Sequence, residues 1–232
     1  MKTIANHFFA ARKGDIFIKI WHDYFCHLWK DRTNATDIAT DPYLLTIITN
    51  IRMEAAWEAG FRWKWDAPPK TIMEYIAQIQ AWNVVALAEE PQPGGFNGLK
   101  YFNEHVLKFE ALTEDWPAEA MIGWEGKDLF ELMSTPLDAD PDRETFKKAY
   151  EVVWTMLTTA SMQKITRGAG LGVADHFGTL LDKWVKDEHA PKTFFDLLRY
   201  GSVHFEQVGR KTRLNAPYRG DAVIKERLIP ES

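Results

Sequence analysis

The sequence predicts a mainly helical α+β fold with a few short strands, in a single domain. Three observations predict it. Apolar residues recur at three- and four-residue spacing over several long stretches, the signature of amphipathic helices. Alternating apolar runs that would suit strands are few and short. No interior stretch rich in Pro, Gly and Ser is long enough to separate domains, and 232 residues are ample for one core.

The elements follow in order. Residues 4–11 read as a short strand running into the turn at Arg12-Lys13-Gly14-Asp15. Asp15 is placed to cap a helix whose buried stripe is Phe17, Trp21, Tyr24 and Leu28. Asp41-Pro42 starts a second helix over 43–49, with apolar residues continuing its period toward Gly60. Residues 61–65 alternate and suit a strand, closed by Pro68-Pro69. A long helix is predicted over 71–89, then a loop at Pro91–Gly98, the strongest turn signal in the chain. Residues 106–111 suit a third strand. A short helix over 127–133 follows. Asp140-Pro141 caps the next helix, which runs to about Ser161 on a stripe of Phe146, Tyr150, Val153, Trp154 and Leu157. Residues 167–172 form a glycine-rich turn, and a last helix occupies 193–200. The predicted division is a globular domain over 1–207 and an extended C-terminal tail over 208–232, where six Lys/Arg accompany few apolar groups.

Composition excludes several functions. The formal net charge of −5 gives no basic footprint for nucleic acid. No apolar run reaches the roughly 20 residues that span a bilayer, and no signal-peptide core follows Met1, so the expected location is cytoplasmic. One cysteine, Cys26, excludes an internal disulfide and a multi-cysteine metal cage. Thirty-one aromatic residues, ten of them Trp, would fill the core or line a pocket for a large apolar ligand.

Motifs that carry chemistry are sparse. Asp138-x-Asp140 has the form of an acidic metal motif, but its place before Pro141 suits a helix cap better. Gly168, Gly170 and Gly172 follow a helix and lack G-x-G-x-x-G spacing, so they read as a turn, not a dinucleotide loop. His22 and His27 fall on different sides of their helix and no H-E-x-x-H occurs, so no metal site is predicted. The richest polar cluster is Gln163, Lys164, Asp175, His176, Arg199, Tyr200, His204 and Glu206. His204 and Glu206 flank Phe205 and would point one way on an extended segment. Histidine beside a carboxylate suits general acid–base work or hydrogen-bond donation; a buried polar network or a solvated edge is the alternative.

Five segments together resemble a known group, the fungal capsular-polysaccharide-synthesis-like proteins, relatives of glycosyltransferases. They are Asn6–Asp15 with Phe17-Ile18 and Trp21-His22; Gly94-Gly95-Phe96-Asn97-Gly98; Ser161-Met162-Gln163-Lys164; His176-Phe177-Gly178-Thr179-Leu180; and Leu197–Gln207. The resemblance implies a remnant of a glycosyltransferase-like fold that lacks the family's front, nucleotide-sugar-binding half, with its metal-binding acidic motif. It implies that His176 and His204 face a sugar diphosphate in the full enzyme.

Three readings follow from this departure. In the leading one the chain is a cofactor-free cyclase or isomerase of fungal secondary metabolism. It would fold an apolar terpenoid or polyene in an aromatic pocket and promote a pericyclic, Diels–Alder-type step by positioning and hydrogen bonding. Gln163, His176, Arg199, Tyr200 and His204 would be the polar groups and Trp21, Trp124 and Trp154 the walls, with no cofactor or metal. In the second the chain is a glycosyltransferase-like enzyme using a nucleotide sugar; in the third, a non-catalytic binding remnant. The expected partner is a small apolar substrate, and a homodimer would cover an open sheet edge.

Overall fold

The computed structural model describes residues 7–50, 57–58, 60–62, 64–166, 171–173 and 175–229. Helices dominate. The three expected strands do not form among these residues: positions 65 and 109 make only isolated bridges, to Gly172 and Leu214, and residues 7–11 pair with nothing regular. Short apolar runs become strands only where a neighbour lies alongside for several residues. Packing falls into two compact units, each built from discontinuous segments: 1–55, 67–108 and 215–232 in the first, and 56–66 with 109–214 in the second.

In the first unit, helix α1 (Ile16–Trp29) starts as its sequence dictates. Asp15 accepts a hydrogen bond from Ile18 N at 3.1 Å, and Phe17, Trp21, Tyr24 and Leu28 are buried. A 3₁₀ turn (Ile38–Thr40) and α2 (Pro42–Asn50) follow, the continuation over 51–56 lying outside the described residues. The single helix expected over 71–89 is two, α3 (Pro69–Tyr75) and α4 (Ala77–Ala86), separated at Ile76 (φ −91°, ψ 11°). The break lets α4 sink into the core. Its residues from Gln80 to Ala86 are all buried, packed between α1, α2 and α5 (Gly98–His105). Asn97 caps α5 by accepting from Lys100 N at 2.8 Å. The described residues after 214 hold no helix, yet Ile224 bridges Ala88, and Ile224 and Leu228 join the core.

The second unit contains α6 (Ala111–Glu114), α7 (Pro117–Ile122), α8 (Gly126–Met133), α9 (Glu144–Thr159), α10 (Phe177–Lys183), α11 (Val185–Glu188) and α12 (Phe194–His204). Its core lies where α9 meets α7, α8 and α12. Two details of α9 differ from expectation. Arg143 occupies the N-cap position, because Asp140 turns back to accept from Asp142 N and ends a separate turn. The buried face is Ala149, Val152, Val153, Met156 and Leu157, leaving Tyr150 52% exposed. No helix among the described residues is long and apolar enough to cross a membrane.

Candidate functional site

The second unit brings two of the resembling segments together. Residues 161–164 run beside the end of α6: Ser161 N and Met162 N donate to Glu114 O, and Lys164 N donates to Asp115 O at 2.8 Å. The 176–178 segment joins them through Gly178 N, which donates to Ile165 O at 2.7 Å. On its other side that segment presses on Gly126. A Cβ added there would lie 2.4 Å from Phe177 N, so the first turn of α8 admits only glycine. His176 is thereby buried at the N-cap position of α10.

Gln163 is fully engaged. Its Oε1 accepts from Ala118 N at 3.1 Å, and its Nε2 donates to the Glu119 carboxylate at 2.5 Å and to Lys164 O at 2.8 Å. It ties the 161–164 segment to the start of α7 by satisfying the buried Ala118 N–H, since the N-cap, Trp116, has no side-chain oxygen to offer. Trp124 closes the neighbourhood. Its Nε1 donates to Gly60 O at 3.0 Å, and its ring lies 5.4 Å from Trp116 and 5.9 Å from Phe61.

Lys164 is the distinctive cation here. Its ammonium lies 5.7 Å above the Trp116 ring. Burial lowers its pKa below the usual lysine value, and the Asp115 charge opposes that shift. No carboxylate among the described residues forms an ion pair with it. Beside it lies a pair that local patterning does not reveal. The Glu114 carboxylate, 2% exposed, accepts from Ser161 Oγ and Arg213 N, each at 2.8 Å, and from the Arg210 guanidinium. Arg210 also donates to Thr159 O at 2.9 Å. Nothing local marks Glu114 in the sequence, since its partners arrive from distant segments.

The remaining proposed residues gather elsewhere. Arg199, Tyr200 and His204 lie on α12 near Trp154 of α9. Phe205 stacks on Trp154 at 5.8 Å and meets Tyr200 edge-on at 5.7 Å; Tyr200 and His204 are 4.3 Å apart. Arg199 is held by Glu188 and Asp196. His204 does not sit on an extended segment with Glu206. The α12 ladder continues to Phe205 N, which donates to Gly201 O at 2.9 Å, so His204 closes a helix and both side chains are exposed. Trp21 belongs to the first unit's core, edge-on to Trp82 at 5.0 Å, with its Nε1 donating to Gln78 O. Within the second unit, Gln163, His176 and Trp124 fall in one neighbourhood and Trp154, Arg199, Tyr200 and His204 in another. A cleft of about 440 Å³ at the glycine-rich turn of the first unit is walled by Glu89, Glu90, Gln92, Asn97 and Lys225 rather than by tryptophans.

Asp138 and Asp140 are exposed, and Asp140 is engaged in its own turn. Among the described residues no group of three or more His, Cys, Asp or Glu is placed to hold a metal ion.

Comparison with known proteins bears on the chemical readings. The chain is 42% identical over 208 residues to a Fusarium pseudograminearum protein named probable glycosyltransferase FCK3, covering 89% of this chain and 52% of that one. The chain is a partial relative of fungal proteins named as glycosyltransferases. It is also 28% identical to the O-glycosyltransferase braB of Annulohypoxylon truncatum, over 97% of this chain and 54% of the relative. The same identity, over 97% of this chain and 57% of the relative, holds for the glycosyltransferase afumC of Aspergillus fumigatus. The chain thus spans about half the length of the curated relatives it matches. No family model and no solved structure matches it. These relatives support the sugar-transfer alternative and lend nothing to the cyclase reading.

Proposed function

We propose that this glycosyltransferase relative takes part in transferring a sugar from a nucleotide sugar to an acceptor hydroxyl. The observation that carries this reading is the 42% identity to the Fusarium protein across 89% of the chain. In such a transfer the acceptor oxygen bonds to the anomeric carbon, the bond from that carbon to the diphosphate breaks, and the hydroxyl proton passes to a base. The diphosphate departs with growing negative charge, which a preorganised cation stabilises most in the transition state.

Lys164 is the residue we assign to that charge. It is half-buried, near the Asp115 charge and held against Trp116. Desolvation makes a cation there interact more strongly with an incoming anion than one in open water. Gln163 is a positioning residue that fixes the segment carrying Lys164 to α7, while the Gly178 N–Ile165 O bond joins that segment to α10. Lys164→Met is expected to lower kcat/KM for the nucleotide sugar on the order of 100-fold, with the melting temperature held and partial recovery in Lys164→Arg. Wild-type kcat/KM in Lys164→Met would remove the assignment.

A further inference from the structure

The α9–α12 side of the second unit carries a run of rings in solvent. Tyr150 is 52% exposed, Tyr200 57% and Phe205 41%, and Val203, one turn along α12, is 77% exposed. The rings touch in series. Tyr150 lies 5.9 Å from Trp154, which stacks on Phe205, which meets Tyr200, which packs on His204. Helix α9 is thus apolar on two sides: one faces the core, and the other faces water. The patch presents roughly 500 Å² of apolar surface, at the size where exposed patches on monomers mark binding surfaces.

We propose that this face is a homodimer interface, covered by the same face of a second copy of the chain. Two facts select that occupant. Burying the patch on both copies removes about 1,000 Å², the lower bound for a specific protein interface. The charges flanking it are also mixed in sign, with Lys147 and Glu151 on α9, Arg199 on α12 and Glu206 just after it. Mixed signs let the face meet its own copy without opposing one sign to itself, Arg199 being already paired with Glu188 and Asp196 of its own chain. With its area at the lower bound for a specific interface, the dimer is expected to be weak and reversible. It assigns Tyr200 and His204 to association rather than to catalysis, and it stands independently of the transferase reading.

Sedimentation velocity on the full chain from about 5 to 300 μM tests this. The expected result is a sedimentation coefficient that climbs from monomer to dimer. Val203→Glu, at a position too exposed to disturb the core, holds the chain monomeric throughout, while Lys13→Glu does not. Hydrogen exchange at 150–154 and 200–205 should slow as the dimer forms. A monomer at 300 μM would overturn the proposal. So would a dimer unaffected by Val203→Glu, or protection that appears only when the half of the Fusarium relative that this chain does not match is added.

Discussion

Glu114→Ala is expected to destabilise the protein by about 3–5 kcal/mol, the cost of leaving one member of a buried ion pair uncompensated. The carboxylate is 2% exposed and accepts from Ser161 Oγ, Arg213 N and Arg210. Its removal strands three donors at once, one of them charged and 19% exposed. In thermal unfolding the loss should lower Tm by roughly 10 °C. The paired substitution Glu114→Leu with Arg210→Met should recover much of it, since it removes both charges and leaves only the lesser cost of Ser161 Oγ and Arg213 N. A Tm within about 2 °C of wild type for Glu114→Ala would show that the pair contributes nothing to folding.

The second large effect is steric. Gly98 opens α5 where that helix crosses α4, and a Cβ there would fall 1.7 Å from Val85 O. No rotamer relieves a clash between a Cβ and a backbone carbonyl, so α5 must leave α4 or α4 must shift within the core. Gly98→Ala is expected to cost at least about 3 kcal/mol. Gly94→Ala is the matched control. It meets nothing within 4 Å, but its φ of +76° belongs to glycine, and the change should cost about 1 kcal/mol. Denaturant midpoints should rank the two variants in that order. Equal midpoints would mean that α4 and α5 cross loosely enough to admit a methyl group at position 98.

The features of this fold legible in the sequence are those whose cause is local. Asp15 and the stripe Phe17, Trp21, Tyr24 and Leu28 specify α1 without help from the rest of the chain. The break at Ile76 is different. Ile72, Ile76 and Ile79 keep the helical period through it, and it goes with the burial of α4 from Gln80 to Ala86, which local spacing does not express. Phe109 meets Leu214 and Ala88 meets Ile224, pairings between segments far apart in the chain that no local pattern announces. The two units have the same property: each is assembled from segments separated in the chain, so no linker composition marks a boundary.

The site is legible in outline only. Gln163 and His176 do fall in one neighbourhood, where Gln163 bonds to the backbone of Ala118 and Lys164 and His176 is buried at the start of α10. His204 lies elsewhere because a four-residue apolar–polar alternation fits the end of a helix as well as a strand. Lys164 belongs to the polar cluster in the sequence, but its value comes from burial beside Trp116, which spacing does not express.

The central claim is that this chain works in nucleotide-sugar chemistry. Its most direct test is to measure UDP or GDP release from a panel of nucleotide sugars with an acceptor alcohol. The full chain is assayed alone and with the unmatched half of the Fusarium relative supplied in trans. The account predicts donor-dependent release and a glycosylated product in at least one preparation, both lost in Lys164→Met. No release from any donor in either preparation, with stabilisation by apolar polyene or terpenoid ligands instead, would contradict it.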